Sequence, residues 1–203
     1  MILAIDSSSA ACTAALLSQN GRIIAERHEE IDRGHAERLV PMIAELLGTN
    51  VPSEILVGVG PGSFTGLRVG IAAAHGMAIG WSVPLLGFDS LGLLAAGTSE
   101  DGPVAVAVLG GHGEWFVAEY ERPSLSRVRP ISSLTPAAAA LAVTSSSVIG
   151  SAAEALVARR GNGKAYSALP RAAHALRLPL ALRTFNARPV YSRNPDAKPR
   201  QAA

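Results

Sequence analysis

The stretch from Ile55 to Gly80 restricts the fold more than any other. Ile55-Leu56-Val57-Gly58-Val59 is a continuous apolar run, the pattern of a strand buried on both faces. It leads into Gly60-Pro61-Gly62-Ser63-Phe64-Thr65-Gly66 and then a helical segment ending near Gly80. A strand, a glycine-rich turn and a helix in this order define an α/β unit. The helix N-terminus of such a unit offers free N–H groups and a positive dipole end, which suit phosphate. No Gly-Lys-Ser/Thr follows, and the spacing is not Gly-x-Gly-x-x-Gly. The turn therefore reads either as an anion cradle or as a place where backbone geometry demands glycine. On the first reading Asp6, Ser7, Gly60, Gly62 and Ser63 are the nucleotide-contacting candidates.

The chain opens with a second ordered pattern. Ile2 to Ile5 is a buried strand, Asp6 to Ser9 a polar turn, and Ala11 to Leu17 a second strand. Asn20-Gly21 is a strong hairpin signal, returning the chain as a strand over Arg22 to Glu29. A helix is predicted over 35–47, a short strand over 83–87 and a helix over 90–96. Hairpins followed by alternating strands and helices make a mixed sheet with helices on its faces. Thr98 to Pro103 is a polar joint. Beyond it come a second hairpin (104–121), helices over 136–142 and 152–159, a strand at 148–150, and a helix over 170–183 interrupted at Pro179. Both halves begin with a hairpin and continue into α/β elements, which predicts a structural repeat with a truncated second copy. The expected division is a lobe over 1–100, a smaller lobe over 101–193 and a flexible tail over 194–203.

Charge is placed unevenly. Residues 1–157 hold 8 Lys/Arg against 15 Asp/Glu, whereas 158–203 hold 10 against the single Asp196. Such asymmetry signals either a solvated basic face or nucleic-acid contact. No aromatics interleave with the basic residues along the sequence, which favours the solvated face. Cys12 is the one cysteine, so no internal disulfide forms and a reducing compartment is expected. Met1 runs directly into an apolar strand without a basic leader, and the longest apolar stretch (69–88) is broken by glycines and Pro84. A cytoplasmic protein without a membrane segment is expected.

The segment 35–47 carries apolar side chains (Met42, Leu46, Leu39, Ile43, Ala36, Leu47, Val40, Ala44) over an arc of roughly 200° at ~100° per residue. One core contact needs a stripe of only about 100°. The helix after the glycine turn shows Phe64, Leu67, Ile71 and Ala78 on one face, expected on the sheet, and a small-residue stripe of Gly62, Gly66, Gly70, Ala73 and Met77. Each interior helix glycine costs about 1 kcal/mol against alanine, so a close contact must compensate. The predicted contact is helix 35–47, and the pair packs within the chain or also forms a docking surface. No catalytic or metal-ligating set is legible. The five histidines show no ligand spacing, Asp6 has no partner carboxylate, and no nucleophile elbow is present.

Three segments resemble the bacterial TsaB family of tRNA threonylcarbamoyladenosine biosynthesis proteins. They are Met1-Ile2-Leu3-Ala4-Ile5-Asp6-Ser7-Ser8, Gly34-His35-Ala36-Glu37-Arg38-Leu39-Val40-Pro41-Met42-Ile43, and Gly60-Pro61-Gly62-Ser63-Phe64-Thr65-Gly66-Leu67-Arg68-Val69-Gly70. The match is dense over 1–97 and loose beyond 103, where Pro189-Val190-Tyr191-Ser192-Arg193 supports it. The resemblance implies an actin-like (ASKHA) α/β fold of two ribonuclease-H-like lobes, the second reduced. It implies a non-catalytic partner of TsaD, the paralogue that modifies the adenosine 3′ of the anticodon in ANN-decoding tRNAs. TsaE joins them, tRNA is met only within the complex, and ATP or ADP is expected, if anywhere, at the heterodimer junction. The implied interface is His35, Leu39, Val40, Ile43, Leu47, Gly62, Gly66, Gly70, Ala73 and Met77, with a homodimer through the same helices when TsaD is absent. TsaD-like proteins carry a metal-binding His-x-x-x-His whose positions fall here on Ser90 and Leu94, and leucine cannot ligate a metal. The turn Leu109-Gly110-Gly111-His112-Gly113-Glu114 departs from the family's Asp-Ala-Arg type. The competing readings are an actin-like ATPase or phosphotransferase, and a tRNA-binding subunit using the basic region 158–200.

Overall fold

The computed structural model describes residues 1–192. The predicted tail 194–203 lies outside the described residues. The first lobe is built on β1 (Ile2–Asp6), β2 (Ala11–Leu17), β3 (Ile23–Glu30), β4 (Glu54–Gly58) and β5 (Leu85–Phe88), in the order β3-β2-β1-β4-β5. β1, β2 and β3 form an antiparallel meander, and β4 and β5 add in parallel. The Asn20-Gly21 turn forms as expected, with Gly21 at φ 82°.

The second sheet repeats this plan. β6 (Gly102–Leu109), β7 (Trp115–Arg122) and β8 (Ser126–Leu134) form the meander, and β9 (Ser147–Ile149) and β10 (Lys164–Tyr166) add in parallel, in the order β10-β9-β6-β7-β8. Matched by position, the order is the same in both sheets. The two lobes thus make an actin-like α/β fold with mixed sheets flanked by helices.

The second copy is shorter wherever the two correspond. α1 (His35–Leu47, 13 residues) corresponds to α4 (Pro136–Ala142, 7 residues), and α2 (Phe64–Trp81, 18 residues) to α5 (Ala153–Arg160, 8 residues). The helix expected over 170–183 is instead two 3-10 turns, Ala172–Arg177 and Leu180–Leu182. Pro179, which lacks an N–H, separates them. β8 was not legible in the sequence. It is an edge strand with Pro130 inside and register shifts against β7, so the apolar alternation of a central strand is missing.

Alternation along the strands sorts the core. Leu3, Ile5, Cys12, Ala14, Leu16, Ile55 and Val57 face α1 and α2, while Ile2, Ala4, Ala15, Leu17 and Leu56 face α3 (Ser90–Gly97). α3 lies between the sheets, because Val104, Val106, Phe116 and Tyr120 of the second lobe pack into the same cluster. A helix covered on all sides is apolar all round, and Leu91, Leu93, Leu94, Ala95 and Ala96 are all buried.

The two ends of α3 are tied to the second lobe and to the segment that follows it. Asp89 caps its N-terminus through Leu91 N (3.1 Å) and accepts from Tyr120 Oη and Arg127 Nη2 (2.6 Å each). At the other end Arg122 donates to Ala95 O (3.1 Å), Arg177 donates to Ala96 O (3.3 Å), and His174 Nδ1 lies 3.2 Å from Leu93 O. Cations at a helix C-terminus complement its dipole.

Residues 171–192, expected in the second lobe, pack on the first. Arg171 pairs with Glu26, and Ala172 N donates to Thr13 Oγ1. Phe185 exchanges backbone hydrogen bonds with Gly87 on the free edge of β5, and Val190 N donates to Val59 O.

Glu119 pins the loop between α4 and β9. It is 4% exposed and accepts from Arg129, Ser145 and Thr144. Burial alone would raise its pKa. The hydrogen bonds, led by Ser145 N, outweigh burial and hold it below the ordinary 4.5. This stabilisation is complete above the ordinary value and is lost as pH falls through the lower folded value. Glu119→Gln is expected to cost about 1–3 kcal/mol at pH 7 and to flatten the acid limb of stability against pH in urea titrations. Tyr120→Phe, which removes one donor from buried Asp89, is expected to lower stability by about 1–2 kcal/mol in the same assay.

Candidate functional site

The loops after β1 and β4 meet at a buried carboxylate. Asp6 is fully buried. Its Oδ1 accepts from Ser8 N (2.9 Å) and Ser8 Oγ (2.7 Å), and its Oδ2 from Ser90 Oγ (2.7 Å). Ser90 Oγ in turn accepts from Gly60 N (3.1 Å). Burial raises the Asp6 pKa, and the Ser90 and Ser8 hydrogen bonds only partly offset it. Both carboxylate oxygens are thus engaged in tying β1, the glycine turn and the start of α3 together.

The glycine turn is filled from within the chain. Ser63 N donates to Ser8 O (2.7 Å), and Ser63 Oγ caps α2 by accepting from Gly66 N (3.2 Å). A Cβ on Gly62 would strike Ser8 O, and one on Gly66 would strike Ser7 O. One on Gly70 would meet Ser7 Oγ, whose hydroxyl donates to Gly66 O (2.8 Å). The close contact demanded by the Gly62, Gly66 and Gly70 stripe is therefore the Ser7–Ser8 backbone, not helix 35–47 as expected. Of the five nucleotide candidates, Asp6, Ser7 and Gly60 are buried, Gly62 is half-buried and only Ser63 is exposed. The volume a phosphate would occupy in the expected cradle holds Ser8.

The interface candidates also divide. α1 has the expected bounds, but His35, Leu39, Ile43 and Leu47 lie in the core beneath it, and only Val40, 51% exposed, faces outward. Gly66 and Gly70 are buried, and Ala73 and Met77 are half-buried against the same core. Phe64, expected on the sheet, is 56% exposed. The outward surface of the helix pair consists of other residues: Ala36, Val40 and Ala44 on α1, and Ala72, Gly76, Ile79 and Gly80 on α2. Nothing lies within 4 Å of where a Cβ on Gly76 or Gly80 would sit. The spacing Ala72, Gly76, Gly80 was readable, but α2 carries two small-residue stripes. Only packing distinguishes the stripe that meets Ser7 from the stripe that meets solvent.

Elsewhere, the hairpin turn at Gly111–Gly113 is exposed, with His112 at φ 61°. A cleft of about 400 Å³ is lined by His28, Glu30, Ser151, Ser167, Ala168 and Leu169. Ser90 and Leu94, at the positions of the metal-binding histidines, are both buried in the packing around α3. Among the described residues no group of three or more His, Cys, Asp or Glu is arranged to hold a metal, and no helix is long and apolar enough to cross a membrane.

An actin-like fold whose glycine turn is closed by its own chain, and whose helix pair is bare, defines a class of protein with its working surface on the outside. The family described as TsaD, tRNA N6-adenosine threonylcarbamoyltransferase, matches residues 22–157, and the chain belongs to that family. Within it, the chain is similar to proteins named tRNA threonylcarbamoyladenosine biosynthesis protein TsaB. The Escherichia coli K12 protein is 37% identical over 129 residues, 60% of this chain and 55% of that protein. The Bacillus subtilis 168 protein is 33% identical over 126 residues, 59% and 55% respectively. The chain spans about half the length of these curated relatives. A crystal structure from Pseudomonas aeruginosa, described as similar to peptidase YeaZ, superposes with a TM-score of 0.80 at 29% identity, covering 95% of this chain and 99% of that one.

The two glycine stripes make opposite predictions. Gly66→Ala is expected to destabilise by about 1–3 kcal/mol, because its Cβ meets a backbone carbonyl. Gly76→Ala is expected to stabilise by about 0.5–1 kcal/mol, since its space is open and helix propensity rises. Urea unfolding followed by circular dichroism measures both.

Proposed function

We propose that this chain is a non-catalytic subunit of tRNA threonylcarbamoyladenosine biosynthesis that docks on a TsaD-type threonylcarbamoyltransferase through the outer face of α1 and α2. The observation that carries the reading is the open stripe of Ala72, Gly76 and Gly80 flanked by Val40 and Ile79. Gly76 costs helix stability without any contact inside the chain to offset it. Small residues spaced four apart allow another helix to approach closely, and the flanking apolar side chains add area removed from water. The names carried by the relatives supply the pathway. On this reading TsaE joins the assembly, tRNA is met within it, and any ATP or ADP sits at the junction of the two subunits. The same face supports a homodimer when TsaD is absent, and the cytoplasm is the place of work.

A non-catalytic role is supported by the Asp6 cluster, whose carboxylate oxygens are engaged by Ser8 and Ser90, and by Ser90 and Leu94 at the metal-ligand positions. The same engagement weighs against an actin-like ATPase or phosphotransferase using Asp6 and the glycine turn.

The test is size-exclusion chromatography with light scattering on the chain, its own TsaD-type partner and the mixture. Gly76→Leu is the informative variant, because Gly70→Leu would strike Ser7 and disturb the fold. A stoichiometric wild-type complex is expected. Gly76→Leu is expected to keep its circular dichroism spectrum and to weaken the complex by about 1–3 kcal/mol, roughly 5- to 150-fold in affinity. A wild-type chain that forms no complex, with or without ATP and TsaE, overturns the proposal. A Gly76→Leu chain that binds as wild type moves the interface elsewhere.

A further inference from the structure

The end of the described chain builds a feature that the sequence order hides. Tyr191 is carried back onto α2 by the terminal segment, which is fixed by Val190 N to Val59 O (2.8 Å) and by Ala187 O lying 2.9 Å from His75 Nε2. There its ring meets Phe64 at 5.6 Å between centroids, tilted by 33°. Arg68, one turn further along α2, places its guanidinium 3.4 Å from the Phe64 centroid and 5.8 Å from that of Tyr191. Phe64 is 56% exposed and Tyr191 51%. Arg68 is also exposed and pairs with no carboxylate among the described residues. An aromatic of this size left half in water is costly to maintain without a ligand.

We infer that Phe64, Arg68 and Tyr191 form a stacking platform for single-stranded RNA. Bases stack on exposed aromatic faces regardless of sequence, and arginine supplies both cation–π contact and phosphate pairing. Tyrosine, phenylalanine and arginine also mark protein interfaces, so the charge around the platform decides between the two. The segments that build this surface contain no carboxylate at all: neither 55–88 nor 155–195 holds an Asp or Glu. The cations there are Arg68, Arg183 and Arg188, and the sequence that follows adds Arg193, Lys198 and Arg200 against Asp196 alone. A surface with unpaired cations, two exposed rings and no acids suits a polyanion with π-faces better than a protein partner of mixed charge. The basic balance of the C-terminal region thereby gains the aromatics that the sequence order withheld, one of them contributed by the first lobe.

The platform is separate from the open glycine stripe, and the inference stands without the docking reading. Fluorescence anisotropy of the full chain with a labelled RNA hairpin carrying a purine-rich single-stranded loop, and with the same RNA closed into a full duplex, tests it. The wild type is expected to prefer the loop. Phe64→Ala and Tyr191→Ala are each expected to weaken loop binding roughly 5- to 100-fold. Arg68→Gln is expected to weaken it and to lower the slope of log K against log salt by about 0.7. Arg159→Gln, on α5 of the other lobe, serves as the charge control and is expected to leave the loop preference intact. All four positions are exposed, so unchanged thermal melting is expected and is checked. Absence of salt-dependent binding by the wild type overturns the inference, as does loop binding that none of the three platform variants weakens. Platform variants that bind RNA normally but lose the TsaD-type partner also overturn it, and assign the patch to a protein contact. Gly76→Leu reports on the docking face independently, so failure of one reading is distinguishable from failure of the other.

Discussion

A carboxylate with no solvent contact holds the first lobe in register. Asp6 ends β1, and its three acceptor contacts fix Ser8 on one side and Ser90 on the other, while Ser90 reaches Gly60. A buried carboxylate left with donors missing would be costly, so these contacts require each other. They set the path of the Ser7–Ser8 turn, and that turn determines where α2 must be glycine. They also set the start of α3, on which the second lobe is mounted.

The position of α3 explains why two lobes that repeat one topology behave as a single packed body. The helix is buried on all sides, with Asp89 at its start held by Tyr120 and Arg127 and its last carbonyls met by Arg122, Arg177 and His174. The second lobe has given up helix length and strand length, and 171–192 returns to cover the first lobe's sheet edge. What remains outward on the first lobe is therefore α1 and α2, with Ala72, Gly76 and Gly80 unoccupied and Phe64, Arg68 and Tyr191 grouped near the glycine turn. Two exposed features of different chemistry on one helix suit a subunit that works by contact.

Much of the fold was legible because its signals are local. The period-two burial of β1 and β2, the Asn20-Gly21 turn, and α1 over 35–47 depend on residues a few positions apart. The repeat was legible from element order. β8 was not, since an edge strand with Pro130 has no apolar period, and the 3-10 turns after Arg171 were read as a helix because short apolar runs carry no register of their own.

The sequence by itself determined that the chain is an α/β repeat with a glycine-requiring turn, a wide apolar helix and a basic end, since composition and spacing suffice for each. Tertiary structure alone decided what those features do. Gly66 and Gly70 answer to Ser7, some sixty positions earlier, and Gly76 answers to nothing in the chain. Phe64 and Tyr191 share a surface only because the terminal segment is hydrogen-bonded beside β5 and α2. The physical reason is the same in each case. A residue's type states which contacts it tolerates, and the close packing of distant segments decides which of those contacts it receives.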